Sequence, residues 1–159
     1  MILHELTTHG AEDVRQWRNL DIAPYRTPFL LTEENQKEWY KEVTKRDSDS
    51  RIWEFIGETA RIAVGGLTGI HPVNRTAEIA LVVNPKFRRK GNGMVIVNII
   101  LSQAFKRLNI NTVFGEVYYC ANVDFWLKTN PHYTTTLPNR KYWDGVYHDS
   151  MYFSWSKSC

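Results

Sequence analysis

Cysteine is nearly absent from this chain: Cys120 and Cys159 are the two in 159 residues. Two thiols make no disulfide framework, and neither stands at metal-ligand spacing from another ligand, so no metal is expected. Long apolar runs are missing as well. No stretch reaches the length of a membrane span, and Ile110 to Cys120 is interrupted by Asn111 and Glu116. The opening residues, Met1-Ile2-Leu3-His4-Glu5, lack the basic segment and apolar core of a secretory signal. The cytoplasm is therefore the expected compartment, with no membrane partner. An excess of one charge is lacking too. Twenty Lys and Arg against 17 Asp and Glu leave a net charge of +3, which suits an anionic cofactor and does not demand nucleic acid. No internal repeat, low-complexity segment or linker appears, so residues 1–159 are expected to form a single domain around one core.

Aromatic residues are plentiful, at 13%, and many fall late: Trp126, Tyr133, Tyr142, Trp143, Tyr147, Tyr152, Phe153 and Trp155. Most read as sheet core, since Tyr, Trp and Phe favour strands. A stacking wall for a substrate is the sharper alternative.

Periodicity and turn residues predict an alternating order of elements. Ile2 to Thr7 reads as a strand and Glu12 to Leu20 as a helix, with acidic residues early and Val14 and Trp17 three apart. Thr32 is an expected N-cap for a second helix through about Thr44. Arg51 to Ile56 and Arg61 to Ile70 form a hairpin, and Thr76 to Val83 is a further strand. Gly93 to Leu108 is an apolar helix, expected to lie buried against the sheet, and Asn109 ends it. Asn111 to Tyr119 is a strand, Asn122 to Lys128 a short helix or turn, and His132 to Trp143 and Val146 to Trp155 are strands. Asp144-Gly145 between the last two is a type I′ hairpin signal.

Between the strand ending in Val82-Val83-Asn84-Pro85 and the apolar helix stands Arg88-Arg89-Lys90-Gly91-Asn92-Gly93. Such a loop can point successive backbone N–H groups at an anion, where the helix dipole also favours negative charge. Gly91 and Gly93 carry no Cβ to hold backbone and ligand apart. The Walker spacing is absent, and so is the third glycine of a dinucleotide fingerprint. What remains is Arg-x-x-Gly-x-Gly, an arrangement suited to a pyrophosphate.

This loop, with the strand before it, the helix after it and Asn122 past the next strand, resembles the coenzyme-A loop of the GNAT superfamily of acyl-CoA N-acyltransferases. The element order β, α, α, β, β, β, α, β, α, β, β matches over essentially the whole chain. Trp17-Arg18-Asn19, Thr32 with Trp39, and Glu78 ten residues before Arg88 are similar to the RimJ/RimL-like branch. The resemblance implies an α/β (α+β) fold: a mixed, mostly antiparallel twisted sheet of about seven strands with helices on both faces. It implies an N-acetyltransferase that moves an acetyl group from acetyl-CoA to a primary amine, on a protein N-terminus or a small molecule, in a monomer or homodimer. The alternative is a non-catalytic module that keeps the fold and binds CoA. Nucleic acid is not an expected partner, because one basic loop falls short of a stripe.

Site residues follow from the same match. Arg88, Arg89, Lys90, Gly91, Asn92, Gly93 and Met94 would hold the pyrophosphate. Leu81, Val82 and Val83 would run beside the pantetheine, with the Leu81 N–H toward the acyl carbonyl. Asn122 would hold the pantetheine or a water near the sulfur, or cap a helix, or both. Glu78 shares a strand face with Ala80 and Val82. A lone glutamate in an apolar strand is the expected general base, with a salt bridge to Arg75 or binding of the substrate ammonium as its other readings. The family's tyrosine acid is missing: Thr129 stands at its position, and Tyr133 is the expected substitute, with Tyr118 or Tyr119 behind it. Trp17, Arg18, Glu116 and His148 are expected substrate contacts, and Cys120 a buried small side chain.

Overall fold

The computed structural model describes residues 1–157; Cys159 lies outside the described residues. The chain opens with strand β1 (Ile2–Glu5), then helices α1 (Thr8–Asn19) and α2 (Glu33–Thr44). Strands β2 (Arg51–Ile56), β3 (Arg61–His71) and β4 (Thr76–Val83) lead to α3 (Asn92–Ser102), then β5 (Thr112–Tyr118) and α4 (Val123–Lys128). The last two strands are β6 (Tyr133–Trp143) and β7 (Val146–Ser156). They form one seven-stranded sheet in the order β1-β2-β3-β4-β5-β7-β6, antiparallel except for the β4–β5 pair. This is the expected fold.

Two differences from the sequence reading have local causes. Helix α1 starts at Thr8, not Glu12, because Thr7 caps it: its hydroxyl accepts the Gly10 N–H at 3.1 Å. The apolar helix buries Ile96, Val97 and Ile100 but leaves Val95 exposed. It also widens over Gln103–Arg107 into a π-helical turn, with the Leu108 N–H reaching the Gln103 carbonyl at 3.0 Å. Asn109 then takes φ +52° and ends it. Thr32 caps α2 through a reciprocal box with Asn35. Asp144 and Gly145 take φ +51° and +82°, as a type I′ turn requires.

Helices lie on both faces. Beneath α3 and α4 sits the larger core, with Phe55, Leu67, Ile96, Val97, Ile100, Val113 and Phe153. The late aromatics Trp126, Phe153 and Trp155 pack there within 6.4 Å of one another. Under α1 and α2 the core is smaller: Leu6, Val14, Trp17, Ile52 and Val64. That thinner layer is crossed by a charged cluster. Glu54, 2% exposed, accepts from the Thr7 N–H at 2.7 Å, the Thr7 hydroxyl at 2.6 Å and Arg61 Nε at 2.9 Å. Arg61 also pairs with Asp13 of α1. The cluster ties α1 to β2 and β3.

Burial pushes the Glu54 carboxyl up, but the Thr7 and Arg61 bonds outweigh it and hold it below the ordinary carboxylate value. A lowered folded value means stability that is complete above the unfolded value, about 4.3, and fades as pH falls through the folded one. Glu54→Gln should therefore cost roughly 1–3 kcal/mol at pH 7. The gap to the wild type should shrink as pH drops below about 4. Urea unfolding at a series of pH values measures both; a gap independent of pH would assign the loss to packing.

Candidate active site

The site begins where β4 and β5 part. Their parallel pairing runs only from Thr76–Thr112 to Glu78–Phe114. Beyond that, β4 continues to Val83 and β5 to Tyr118 without pairing each other. The Asn84 N–H bonds Ile62 on the β3 side at 2.9 Å, whereas the Arg75 carbonyl accepts from Asn111 and Thr112 on the β5 side. Backbone groups alternate along a strand, so odd residues of β4 face β5. Past the fork, Leu81 and Val83 thus turn their N–H and C=O into the gap. Val82 faces β3 instead, and its side chain joins the core under α1.

At the mouth of the gap is the basic loop. Arg89 takes φ +59° and Gly91 φ +78°, and Gly91 is the N-cap of α3. The first-turn N–H groups of Asn92 and Gly93 have no intrahelical acceptor by geometry. A Cβ on Gly91 would meet nothing within 4 Å, so its demand is the left-handed φ. Gly93 is glycine for a different reason: a Cβ there would stand 2.8 Å from the Phe125 ring of α4. That glycine fits α3 against α4, whatever a ligand asks of it. Asn92 Nδ2 donates to the Phe87 carbonyl at 2.9 Å, Lys90 lies over the Phe87 ring, and Arg88 Nε donates to the Val83 carbonyl at 3.1 Å. Met94, in the first turn of the helix, is half-exposed. Left-handed turns, a helix N-terminus, three cations and an open strand edge form a donor set that fits an extended pyrophosphate and its amide-bearing arm.

On the α1 side of the sheet the fork carries a cluster the sequence did not reveal. Glu78 is the last β4 residue paired with β5. Its partner is Arg26 of the α1–α2 connection, not Arg75; Arg26 donates from both terminal nitrogens, Nη1 at 3.1 Å. Arg26 Nη2 is also 3.8 Å from Glu116, and Tyr118 lies near the guanidinium. Glu116, only 11% exposed, accepts from Arg140 Nε at 3.0 Å and the Ser150 hydroxyl at 2.6 Å. Burial pushes Glu116 up, but Arg140 and Ser150 outweigh it and hold it low. Tyr152 closes this face, stacked on Phe114, its phenol pushed up by burial and by Tyr133 and Glu78.

The α1–α2 connection is pinned over the cluster. Asn19 exchanges two bonds with the Leu31 backbone, both at 2.9 Å. Lys141 of β6, 7% exposed, donates its ammonium to the carbonyls of Ala23 and Tyr25. The same Nζ lies 5.0 Å from the Tyr118 ring centre and 5.1 Å from that of Trp143. Burial pushes this lysine down. Cys120 is half-buried, with Sγ 3.7 Å from the Ala23 carbonyl. Arg18 stacks on Tyr25 at 4.5 Å, and its Nε is buried without a hydrogen-bond partner.

Several expected site residues stand apart from the fork. Trp17 is core, 9% exposed. His148 bonds the Trp143 carbonyl within the β6–β7 hairpin at 3.2 Å. Asn122 caps α4, accepting the Phe125 N–H at 3.1 Å. Thr129 turns its hydroxyl to the Trp126 carbonyl at 2.6 Å. Tyr133 pairs with Ser154, whose other neighbour is Phe114. It therefore lies three strands from Glu78, roughly 14 Å at sheet spacing. Its ring packs edge-on to Tyr152, on the opposite face from α4. The structure thus does not bring Tyr133 to Asn122. A cleft of about 490 Å³ holds Asn122, Tyr119, Thr134 and Thr136, with neither Tyr133 nor residues 88–94 in its wall. Tyr118, by contrast, ends β5 across the gap from β4, beside Arg26.

Known proteins agree with this architecture. The family model described as acetyltransferase (GNAT) domain matches residues 1–120. No curated protein matches the chain. Among solved structures, the spermidine N-acetyltransferase SpeG of Vibrio cholerae recurs. A point mutant of that enzyme is 18% identical, with a TM-score of 0.83 over 98% of this chain and 95% of that one. Its complex with CoA and spermine is 18% identical, with a TM-score of 0.84 over 96% and 93%. A dodecameric form is 19% identical, with a TM-score of 0.81 over 98% and 92%. At such identity these structures match the fold.

Lys141→Met keeps the buried stem but removes the donor from two loop carbonyls. It should cost roughly 1–3 kcal/mol and speed hydrogen exchange in the α1–α2 connection relative to the sheet. Unchanged exchange there would show that Lys141 does not hold the loop.

Proposed function

The chain belongs to the GNAT acetyltransferase family, and we propose that it acetylates a primary amine of a small cationic acceptor, with Glu78 as the general base. The observation that carries this reading is the fork. It puts the outward backbone of Leu81 and Val83 a few residues along the same strand from Glu78, where β4 and β5 part. Trp17-Arg18-Asn19 gains a physical reading that supports the RimJ/RimL-like branch: Trp17 fills the core, Arg18 stacks on the acceptor loop and Asn19 ties its end. The carboxylates Glu78 and Glu116 on the acceptor side favour a cation of the polyamine class, the kind of ligand named for the SpeG complex with spermine.

Acetyl-CoA supplies the thioester, whose carbonyl accepts the amine's electron pair while the C–S bond breaks to release CoA thiolate. Residues 88–94 would bind the pyrophosphate, and Leu81 and Val83 would pair with the pantetheine amides as an added strand edge. The Leu81 N–H would polarise the acyl carbonyl. Glu78 would take the ammonium proton, directly or through water, after its pair with Arg26 opens. Tyr118 replaces Tyr133 as the proposed proton donor to the thiolate, because it ends β5 at the gap on the Glu78 face. Asn122 would act at the α4 side as the cap that fixes the wall of the gap.

Four measurements test this. Free-thiol release from acetyl-CoA with an amine panel that includes spermidine should show turnover. CoA binding without turnover would favour the non-catalytic module. Glu78→Gln should lower turnover by roughly two to four orders of magnitude with little change in acetyl-CoA affinity, and the rate should recover in part at high pH, where the amine loses its proton unaided. A near-normal rate at neutral pH would leave Glu78 structural. Gly91→Val strains the left-handed N-cap and should weaken acetyl-CoA binding by calorimetry; an unchanged affinity would overturn the loop assignment. Tyr118→Phe should lower turnover more than Tyr133→Phe.

A further inference from the structure

Arg26 stands where the proposed acceptor's ammonium belongs. Its two terminal nitrogens both donate to Glu78, and Nη2 also approaches Glu116 at 3.8 Å. A guanidinium has five N–H donors in a rigid fork. Here that fork is turned inward, onto protein carboxylates. It does not present itself to solvent as a receptor for a substrate carboxylate. Two acidic groups so close would repel each other if nothing positive lay between them. Arg26 supplies that charge.

We propose that Arg26 is a displaceable counter-cation that sets acceptor specificity: a cationic amine enters by exchanging with its guanidinium at Glu78 and Glu116. The proposal rests on the acceptor site assigned above. Three observations make the exchange easy. Arg26 is the most open member of the cluster, its side chain 57% exposed against 22% for Glu78 and 11% for Glu116. A side chain that open moves into water at little desolvation cost. The backbone on either side is fixed, by Lys141 at Ala23 and Tyr25 and by Asn19 at Leu31. Rotation of one side chain therefore clears the carboxylates without opening the loop. Glu116 stays held throughout by Arg140 and Ser150, so the incoming cation meets an ordered carboxylate.

The exchange is charge-selective. A cation restores what Arg26 gave up. A neutral ligand leaves two carboxylates unpaired, and a zwitterion brings its own anion toward them. The exchange also frees the Glu78 carboxylate at the moment the amine arrives, so proton acceptance and acceptor binding become one event.

The test is calorimetric titration of spermidine, and separately of glycine as a zwitterionic amine, into wild type and Arg26→Gln with CoA present. Arg26→Gln should tighten spermidine binding by about fivefold, the upper range for an exposed ion pair, and leave CoA affinity unchanged. In the double variant Glu78→Gln/Arg26→Gln the gain should vanish, because the carboxylate that exchanges partners is gone. Spermidine binding that is unchanged, weaker or undetectable in Arg26→Gln overturns the proposal. So does a loss of glycine binding in that variant, which would make Arg26 the receptor for an acceptor carboxylate. The acetyltransferase reading fails on a different readout: absence of thiol release by the wild type with every amine.

Discussion

A backbone N–H or C=O inside a protein must have a partner, and β4 and β5 are the place in this sheet where the strands stop partnering each other. Three residue pairs hold them together, and then the odd-numbered groups of β4 face a gap. The rest of the proposed chemistry depends on this divergence. An extended ligand with amide groups can complete the strand edge. The turn that follows β4 brings a helix N-terminus and three cations to the mouth of the same gap. The last residue before the fork is a glutamate. Side chains on one strand face, backbone groups on its free edge and a helix dipole are thereby gathered within a few residues of a single strand end.

The two faces of the sheet contribute unequally. The α3–α4 face is an apolar core of large side chains, several with no exposure at all. It makes the sheet rigid around the fork. The α1–α2 face holds a small apolar cluster, and α2 buries only Gln36 fully. Polar groups hold that face together instead: Glu54 between Thr7 and Arg61, Lys141 under the loop carbonyls, Asn19 across to Leu31. Such contacts are directional, and each is worth little more than the desolvation it offsets. They place the α1–α2 connection over Glu78 and Glu116 while leaving Arg26 at its tip accessible to solvent. A loop fixed by carbonyl bonds with one open guanidinium is suited to exchanging a charge without reorganising a core.

Element types and order were legible in the sequence because they rest on local signals. Alternating apolar residues, Thr32 as an N-cap, Asn109, and Asp144-Gly145 each act within a few residues. The basic loop was legible for the same reason: Gly91 takes φ +78° at a helix cap, and one sequence position shows that requirement. Glu78 stood out as a carboxylate in an apolar strand. Gly93 was visible, but its demand was not, since the ring that forbids a Cβ belongs to Phe125, more than thirty residues on.

Tertiary structure alone decided what the α1–α2 side of the fork is made of. Arg26 lies in an irregular loop with no periodic context, and its partner Glu78 is 52 residues away. Lys141 reads as an edge-strand lysine that would ordinarily face water; the loop it bonds is more than a hundred residues distant. Tyr133 looked close to Asn122 by count, yet strand order sends it across β7 to the far side of the sheet. Cap, turn and period are short-range constraints that a chain carries in its residues one neighbourhood at a time. Ion pairs and strand neighbours are set by which distant segments the sheet brings together, and no local pattern encodes them.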